Sequence, residues 1–281
     1  MKNLVIIGKV FPEPNSTAAG SRMIQLMDLF LTQNYQITFL STASVSENSF
    51  DLSSKNIQFQ NILLNDSSFD KLIKNLNPEI VIFDRFTTEE QFGWRVSEQV
   101  PNAVKILDTE DLHFLRTARE KAFKQNRNLE HLDLINDVFK REIASILRCD
   151  LSLIISEFEM NLLIEKFRID ENILFYLPLF GAVKKPETSF SERKNFISIG
   201  NFLHEPNWQT VLQLKKLWKN IKNQLPEVEI HIYGAYASEK VFQLHNEKEG
   251  FIIKGRAENV VSVFNQAKIL LAPIPFGAGI K

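Results

Sequence analysis

Short, mostly apolar runs alternate with helical periodicities along this chain, and few architectures accept that pattern. Leu4–Ile7, Ile37–Leu40, Ile80–Phe83, Val104–Leu107 and Leu151–Ile155 lack the strict alternation of a half-solvated strand. They read as strands buried on both faces, as in a parallel sheet covered by helices. Ile57–Leu64 is a more polar strand candidate. Leu132, Ile135, Phe139, Ile143 and Leu147 recur at helical spacing and predict one long helix; Met160–Phe167 predicts another. Alternating β and α with buried strands specifies an α/β fold built on a doubly wound sheet.

The pattern stops and restarts. Pro178–Glu192 holds two prolines, Gly181 and a polar Lys, Thr, Ser and Glu stretch, the composition of a linker. A second series follows: a strand at Phe196–Ile199, a helix opened by Pro206 and carrying Leu214, Leu217, Trp218, Ile221 and Leu225, then strands at Val228–Tyr233, Phe251–Ile253 and Ile269–Ala272. Val260, Val261 and Phe264 lie on the helix between the last two. At 281 residues the chain is long enough for two domains. We expect two Rossmann-like doubly wound domains, 1–188 and 189–281. The second shows only four strand signals and is expected to be incomplete. Its fourth strand would lie at an edge, although it is apolar on both faces, and such an edge invites another chain.

Composition removes several functions. The net charge is −1, which gives no general attraction to nucleic acid or anionic lipid. No stretch approaches the roughly 18 apolar residues of a membrane span. Met1–Gly8 reads as a first strand rather than a signal-peptide core. One cysteine, Cys149, excludes an intrachain disulfide and fits a reducing cytoplasm. The five histidines have no metal-ligand spacing, and neither a nucleophile elbow nor a Walker A loop is present.

Chemistry-bearing residues gather where the strands end. Gly20, Ser21 and Arg22 stand near a helix start, where free N–H groups favour anions; an ordinary surface loop and cap explains them equally. Glu110, Asp111 and His113 follow the Val104–Leu107 strand and can supply a general base or hydrogen bonds to sugar hydroxyls. Asp108 or Thr109 is expected to cap the helix there. Asp84-Arg85 ends its strand in the same way and could face the cleft or form a structural ion pair, and Ser156 with Glu159 reads as a capping box. In the second half Gly200, Asn201, Gly234 and Arg256 end strands in the same way, with His204 as a helix cap. Gly277, Ala278, Gly279 and Lys281 form a small-residue loop whose N–H groups and ammonium suit an anion.

Together these segments resemble the family-4-type glycosyltransferases of the two-Rossmann (GT-B) fold. The residues that carry the resemblance are Ala19-Gly20-Ser21-Arg22, Arg141-Glu142-Ile143 leading into Cys149-Asp150 and Ile155-Ser156-Glu157, Gly200-Asn201-Phe202, Phe251–Gly255, and most specifically Ala272–Lys281. The resemblance implies retaining transfer of a sugar from a nucleotide-diphosphate sugar, without a bound metal or further cofactor. It implies a donor held mainly by the second domain, an acceptor by the first and chemistry in the cleft. Gly20 would face the donor phosphates or the acceptor, and His113 the transferred sugar. Gly277 to Gly279 would present N–H groups to the donor. The family's second acid of the Glu-x7-Glu element has no counterpart here, so the chain is expected to be C-terminally truncated, with weak turnover or none. Expected partners are the nucleotide-sugar donor and a saccharide or lipid-linked acceptor, not nucleic acid. Peripheral membrane contact and a partner chain at the C-terminal sheet edge are further candidates, in a cytoplasmic setting. Two other functions fit the same residues: a non-catalytic binding module completed by another chain, and a GT-B sugar-nucleotide epimerase.

Overall fold

The apolar runs become strands of two separate parallel sheets. The structure, a computed structural model, describes residues 2–179 and 187–277, which form two units. The first unit holds β1 (Lys2–Gly8), β2 (Tyr35–Ser41), β3 (Gln58–Asn61), β4 (Ile80–Asp84), β5 (Val104–Asp108), β6 (Leu151–Ile154) and β7 (Leu174–Tyr176). Their order is β3-β2-β1-β4-β5-β6-β7, parallel throughout. The strand sequence reverses between β1 and β4, the switch point at which open α/β sheets bind ligands.

Both faces of this sheet are buried, which is why the strands are apolar without alternation. Val5 and Ile7 join Phe83 and Leu107 in one core with Phe92 and Val96 of α3 (Phe86–Gln99) and Phe114 of α4 (His113–Lys124). Leu4 and Ile6 point the other way, into a core with Phe39, Ile82 and Met23 and Met27 of α1 (Ala18–Thr32). α2 (Ser68–Leu76), α5 (His131–Leu134), α6 (Asp137–Arg148) and α7 (Glu157–Asn161) complete the layers.

The second unit has β8 (Lys194–Ile199), β9 (Ile230–Tyr233), β10 (Phe251–Gly255) and β11 (Ala267–Leu270), ordered β10-β9-β8-β11 and parallel. α8 (Glu205–Gln224) lays Val211, Leu214 and Trp218 on Phe196, Ile230, Ile232 and Phe251. α9 (Glu239–Phe242) and α10 (Val260–Gln266) are short. No helix among the described residues is long and apolar enough to cross a membrane.

Several expectations need correction. The long helix is two, because Asn136 accepts the Phe139 N–H at 3.0 Å and caps α6 afresh. The Met160–Phe167 helix begins earlier, as α7, and loosens into a π-helical turn over Leu162–Lys166. The Ile57–Leu64 strand shrinks to β3, an edge strand paired only with β2, so all four of its side chains stay exposed. β7 was not expected: three residues are too few to show a period. β11 does lie at the sheet edge, but it begins two residues before the expected Ile269 and is not buried on both faces; Ile269 is 43% exposed.

Candidate functional site

The carboxyl ends of β1, β4 and β5 are tied together by buried polar contacts. Asp84, the last residue of β4, accepts the Lys9 N–H and Arg85 Nη1, both at 3.0 Å, so the expected Asp84–Arg85 ion pair is present. Arg85 adopts φ +71° and donates its own N–H to the Asp108 carbonyl at 2.8 Å. Asp108 ends β5 and takes Arg22 of α1 through Nε, at 2.9 and 3.1 Å. Arg22 Nη1 reaches the Leu177 carbonyl at 2.8 Å. Burial pushes the Asp108 carboxyl up to about 6, against the pull of Arg22, so the pair is ionic at neutral pH.

This corrects the reading of the first loop. Arg22 is 1% exposed and its guanidinium is committed to Asp108, so it is not available to a ligand anion. Gly20 is buried. A Cβ there would meet the Glu13 backbone at 2.5 Å, so the close approach it allows is that of its own loop. The Ser21 hydroxyl donates to the Pro14 carbonyl at 2.8 Å.

The segment after β5 forms the centre of the site. Thr109 does not cap α4; its hydroxyl donates to the Leu153 carbonyl at 2.8 Å. Neither does Asp108, which holds Arg22. The free N–H groups of α4 are taken by acids from other helices. Leu112 N–H donates to Glu159 at 3.1 Å, and those of His113 and Phe114 donate to Glu142 at 3.1 and 2.9 Å. Glu159 therefore does not close a capping box, although Ser156 caps α7 as expected, at 3.1 Å. Burial raises the carboxyls of Glu142 and Glu159 to about 7 each.

Glu110, Asp111 and His113 have three different surroundings. Glu110 sits at φ +63° and is 9% exposed, and its carboxyl is pushed up to about 8 by burial and then by Asp108 and Asp84. Its Oε1 and Asp84 Oδ1 are buried without a hydrogen-bond partner among the described residues. Asp111 is held by Arg116 Nη1, 3.0 Å from each oxygen. The His113 Nδ1 lies 3.2 Å from Glu142 Oε1, and its ring meets Phe86 edge-on with centroids 5.4 Å apart. Burial lowers His113 to about 4, so the imidazole is neutral at pH 7. Sequence reasoning named these three but missed Glu142, Glu159 and Phe86 as their supports. The signal for Glu142 was available: it shares the apolar face of α6 with Phe139 and Ile146, an unusual place for an acid.

In the second unit the strand-end loops hydrogen-bond side by side. Gly200 N–H donates to Tyr233, Phe202 N–H to Ala235 and Gly234 N–H to Gly255, at 3.1, 3.0 and 2.8 Å. Asn201 is buried and shapes its own loop, accepting the Leu203 N–H at 2.8 Å through its side chain. His204 occupies the cap position of α8 without a side-chain cap bond. Gly234 is forced by packing: a Cβ would meet the Gly200 carbonyl at 2.3 Å and the Phe202 ring at 2.2 Å. Arg256 is exposed, and Gly277 is buried at φ +132°. Ala278, Gly279 and Lys281 lie outside the described residues. The space between Gly200, Phe202 and Asn207 is about 10 Å³, room for one water at most. A larger cavity of about 270 Å³ opens beside Lys194, Asn195 and His231, nearer the strand starts than these loops. Among the described residues no cluster of His, Cys, Asp or Glu could hold a metal ion.

No protein-family profile matches the chain, and no curated protein matches it in sequence. Solved structures do match it in fold. A Staphylococcus aureus TarM mutant in complex with fondaparinux, alpha-GlcNAc-glycerol and UDP superposes with TM-score 0.67 at 10% identity, over 96% of this chain and 80% of that one. The pneumococcal O-GlcNAc transferase GtfA in complex with UDP and GlcNAc gives 0.66 at 13%, over 98% and 80%. A putative UDP-N-acetylglucosamine 2-epimerase from Listeria monocytogenes gives 0.57 at 12%, over 96% and 74%. With its seven-stranded parallel sheet and its second parallel sheet, the chain has the Rossmann-like fold of the GT-B glycosyltransferases.

Proposed function

We propose that this chain is a glycosyltransferase that moves a sugar from a nucleotide-diphosphate sugar to a saccharide or lipid-linked acceptor with retention. Residues 1–188 would serve the acceptor and the transferred sugar, and residues 189–281 the nucleotide. The observation that carries this reading is His113: a neutral, partly exposed imidazole at the carboxyl end of β5, beside the switch point. Such a ring can accept a hydrogen bond from a sugar hydroxyl. Glu110, protonated at neutral pH, can donate one. The loops at Gly200, Gly234, Arg256 and Gly277 are the candidates for the nucleotide. The likeness to TarM and GtfA, each in complex with UDP, supports the donor class. No cofactor is invoked, so EDTA should leave turnover unchanged.

Calorimetric titration of the chain with UDP and with sugar nucleotides tests the proposal. Binding of a sugar nucleotide is expected, and His113→Ala should weaken it more than it weakens UDP. Failure of every nucleoside diphosphate and sugar nucleotide to bind overturns the reading. The Listeria protein supports an epimerase as the second reading. Release of nucleotide from its sugar without any acceptor, with an inverted sugar centre, would favour that one. A lipid-linked acceptor predicts co-sedimentation with vesicles that carry it.

A further inference from the structure

We infer that Glu142 is the positioning residue for His113: it holds the imidazole with its proton on Nδ1 and leaves Nε2 as a bare acceptor facing the site. The inference follows from counting donors around one buried carboxylate. Glu142 is fully buried on α6. Its Oε2 accepts the Phe114 N–H at 2.9 Å, and its Oε1 accepts the His113 N–H at 3.1 Å. Backbone N–H groups can only donate, so both oxygens already present lone pairs toward α4. With Glu142 ionised, the third contact, Oε1 to His113 Nδ1 at 3.2 Å, is attractive when Nδ1 carries hydrogen and repulsive when it does not. Asp111 Oδ1, 3.9 Å from the same nitrogen, adds to that preference.

The other side of the ring is different. Nε2 has no hydrogen-bond partner among the described residues, and the His113 side chain is 14% exposed. Phe86 packs edge-on at 5.4 Å and limits rotation of the ring. A second proton is opposed by burial and by the charges of Arg116, Arg85 and Lys9, so the ring remains a neutral acceptor. A carboxylate fixing one imidazole nitrogen so that the other has a defined role is a recurrent positioning device. Here the ligand class is a hydroxyl-bearing sugar: its O–H donates to Nε2, a contact the opposite tautomer or an imidazolium refuses. That last step rests on the proposed function; the tautomer does not.

The test is ¹⁵N correlation spectroscopy on the whole chain with labelled histidine. The His113 signal is assigned by its loss in His113→Asn. The expected result is a neutral ring from pH 5 to 8, with the Nδ1–H tautomer at pH 8, where Glu142 is ionised. An Nε2–H tautomer or an imidazolium at pH 8 overturns the proposal. In Glu142→Gln the negative charge that favours Nδ1–H is lost, and one end of the amide must face a backbone N–H, so the population of the Nε2–H tautomer should rise. Persistence of the wild-type tautomer in that variant also overturns it. Asp111→Asn should leave the tautomer unchanged. The wild-type spectrum decides by itself should the Gln variant not fold. If a sugar binds as proposed, Glu142→Gln weakens sugar-nucleotide affinity about tenfold with UDP affinity unaltered. The expected tautomer together with unaltered sugar-nucleotide binding in His113→Asn would refute the functional reading alone.

Discussion

Arg22 Nε donates to both carboxylate oxygens of Asp108, at 2.9 and 3.1 Å, and neither side chain is more than 1% exposed. The pair fastens α1 to the end of β5 across the two strands that lie between β5 and β2. Losing one partner leaves the other as a buried, uncompensated charge. Arg22→Met should therefore cost about 3–5 kcal/mol in urea unfolding. The double variant Arg22→Met/Asp108→Leu should be less destabilised than Arg22→Met, because no orphan charge remains. Equal losses in the single and double variants would contradict this account of the pair.

Gly20 and Gly234 are fixed by packing within the protein. A methyl group at Gly20 would press on the Glu13 backbone, and at Gly234 on the Gly200 carbonyl and the Phe202 ring. Backbone yields less readily than a side chain. Each Gly→Ala change is expected to cost about 1–3 kcal/mol, within the usual range for overpacking. Thermal unfolding of each variant without ligand checks this; an unchanged Tm would refute the packing argument.

The first sheet was legible because burial on both faces writes itself into β1, β2, β4 and β5 as unbroken apolar runs. What was illegible depended on single contacts. The break between α5 and α6 hangs on Asn136, whose Oδ1 takes the Phe139 N–H while Nδ2 donates to the Phe114 and Asp133 carbonyls. Leu132 keeps the apolar period across that break although it is 80% exposed. In the site, Glu110, Asp111 and His113 could be found from their place after β5. Arg22 could not be told from an anion-binding arginine, because its partner Asp108 lies 86 residues away. Glu142, 29 residues from His113, was hidden in the same way.

The raised carboxyl of Glu110 makes stability pH-dependent with a definite sign. Folding lifts it from 4.5 to about 8, so the native state binds the proton more tightly than the unfolded chain. Stability is then greatest below the unfolded value and declines as pH rises, by at most about 1.4 kcal/mol per pH unit from this group, levelling off above 8. His113, lowered to about 4, acts oppositely, but only below pH 6.5. Between pH 6.5 and 8 the Glu110 decline is exposed, together with smaller contributions from Glu142 and Glu159. Glu110→Gln should flatten the slope of urea-unfolding free energy in that window, and a slope equal to wild type would refute the burial argument.

Cys149 offers a probe of opening in the first unit. It is the only cysteine in the chain, 5% exposed, and burial raises its thiol above the ordinary range. The thiolate is the reactive form, so both access and ionisation protect the native sulfur. A disulfide reagent at pH 8 should label the folded protein slowly and the urea-unfolded protein at once, one equivalent per chain. Because Cys149 packs in the same core as Leu107, Phe114 and Ile146, its labelling rate measures the opening of the layer beneath α4 and α6. Arg22→Met, which loosens α1 on the opposite face, should raise that rate only through global unfolding. Its labelling should then speed up in proportion to the measured loss of stability. A smaller acceleration would mean that the two faces of the sheet open as separate units.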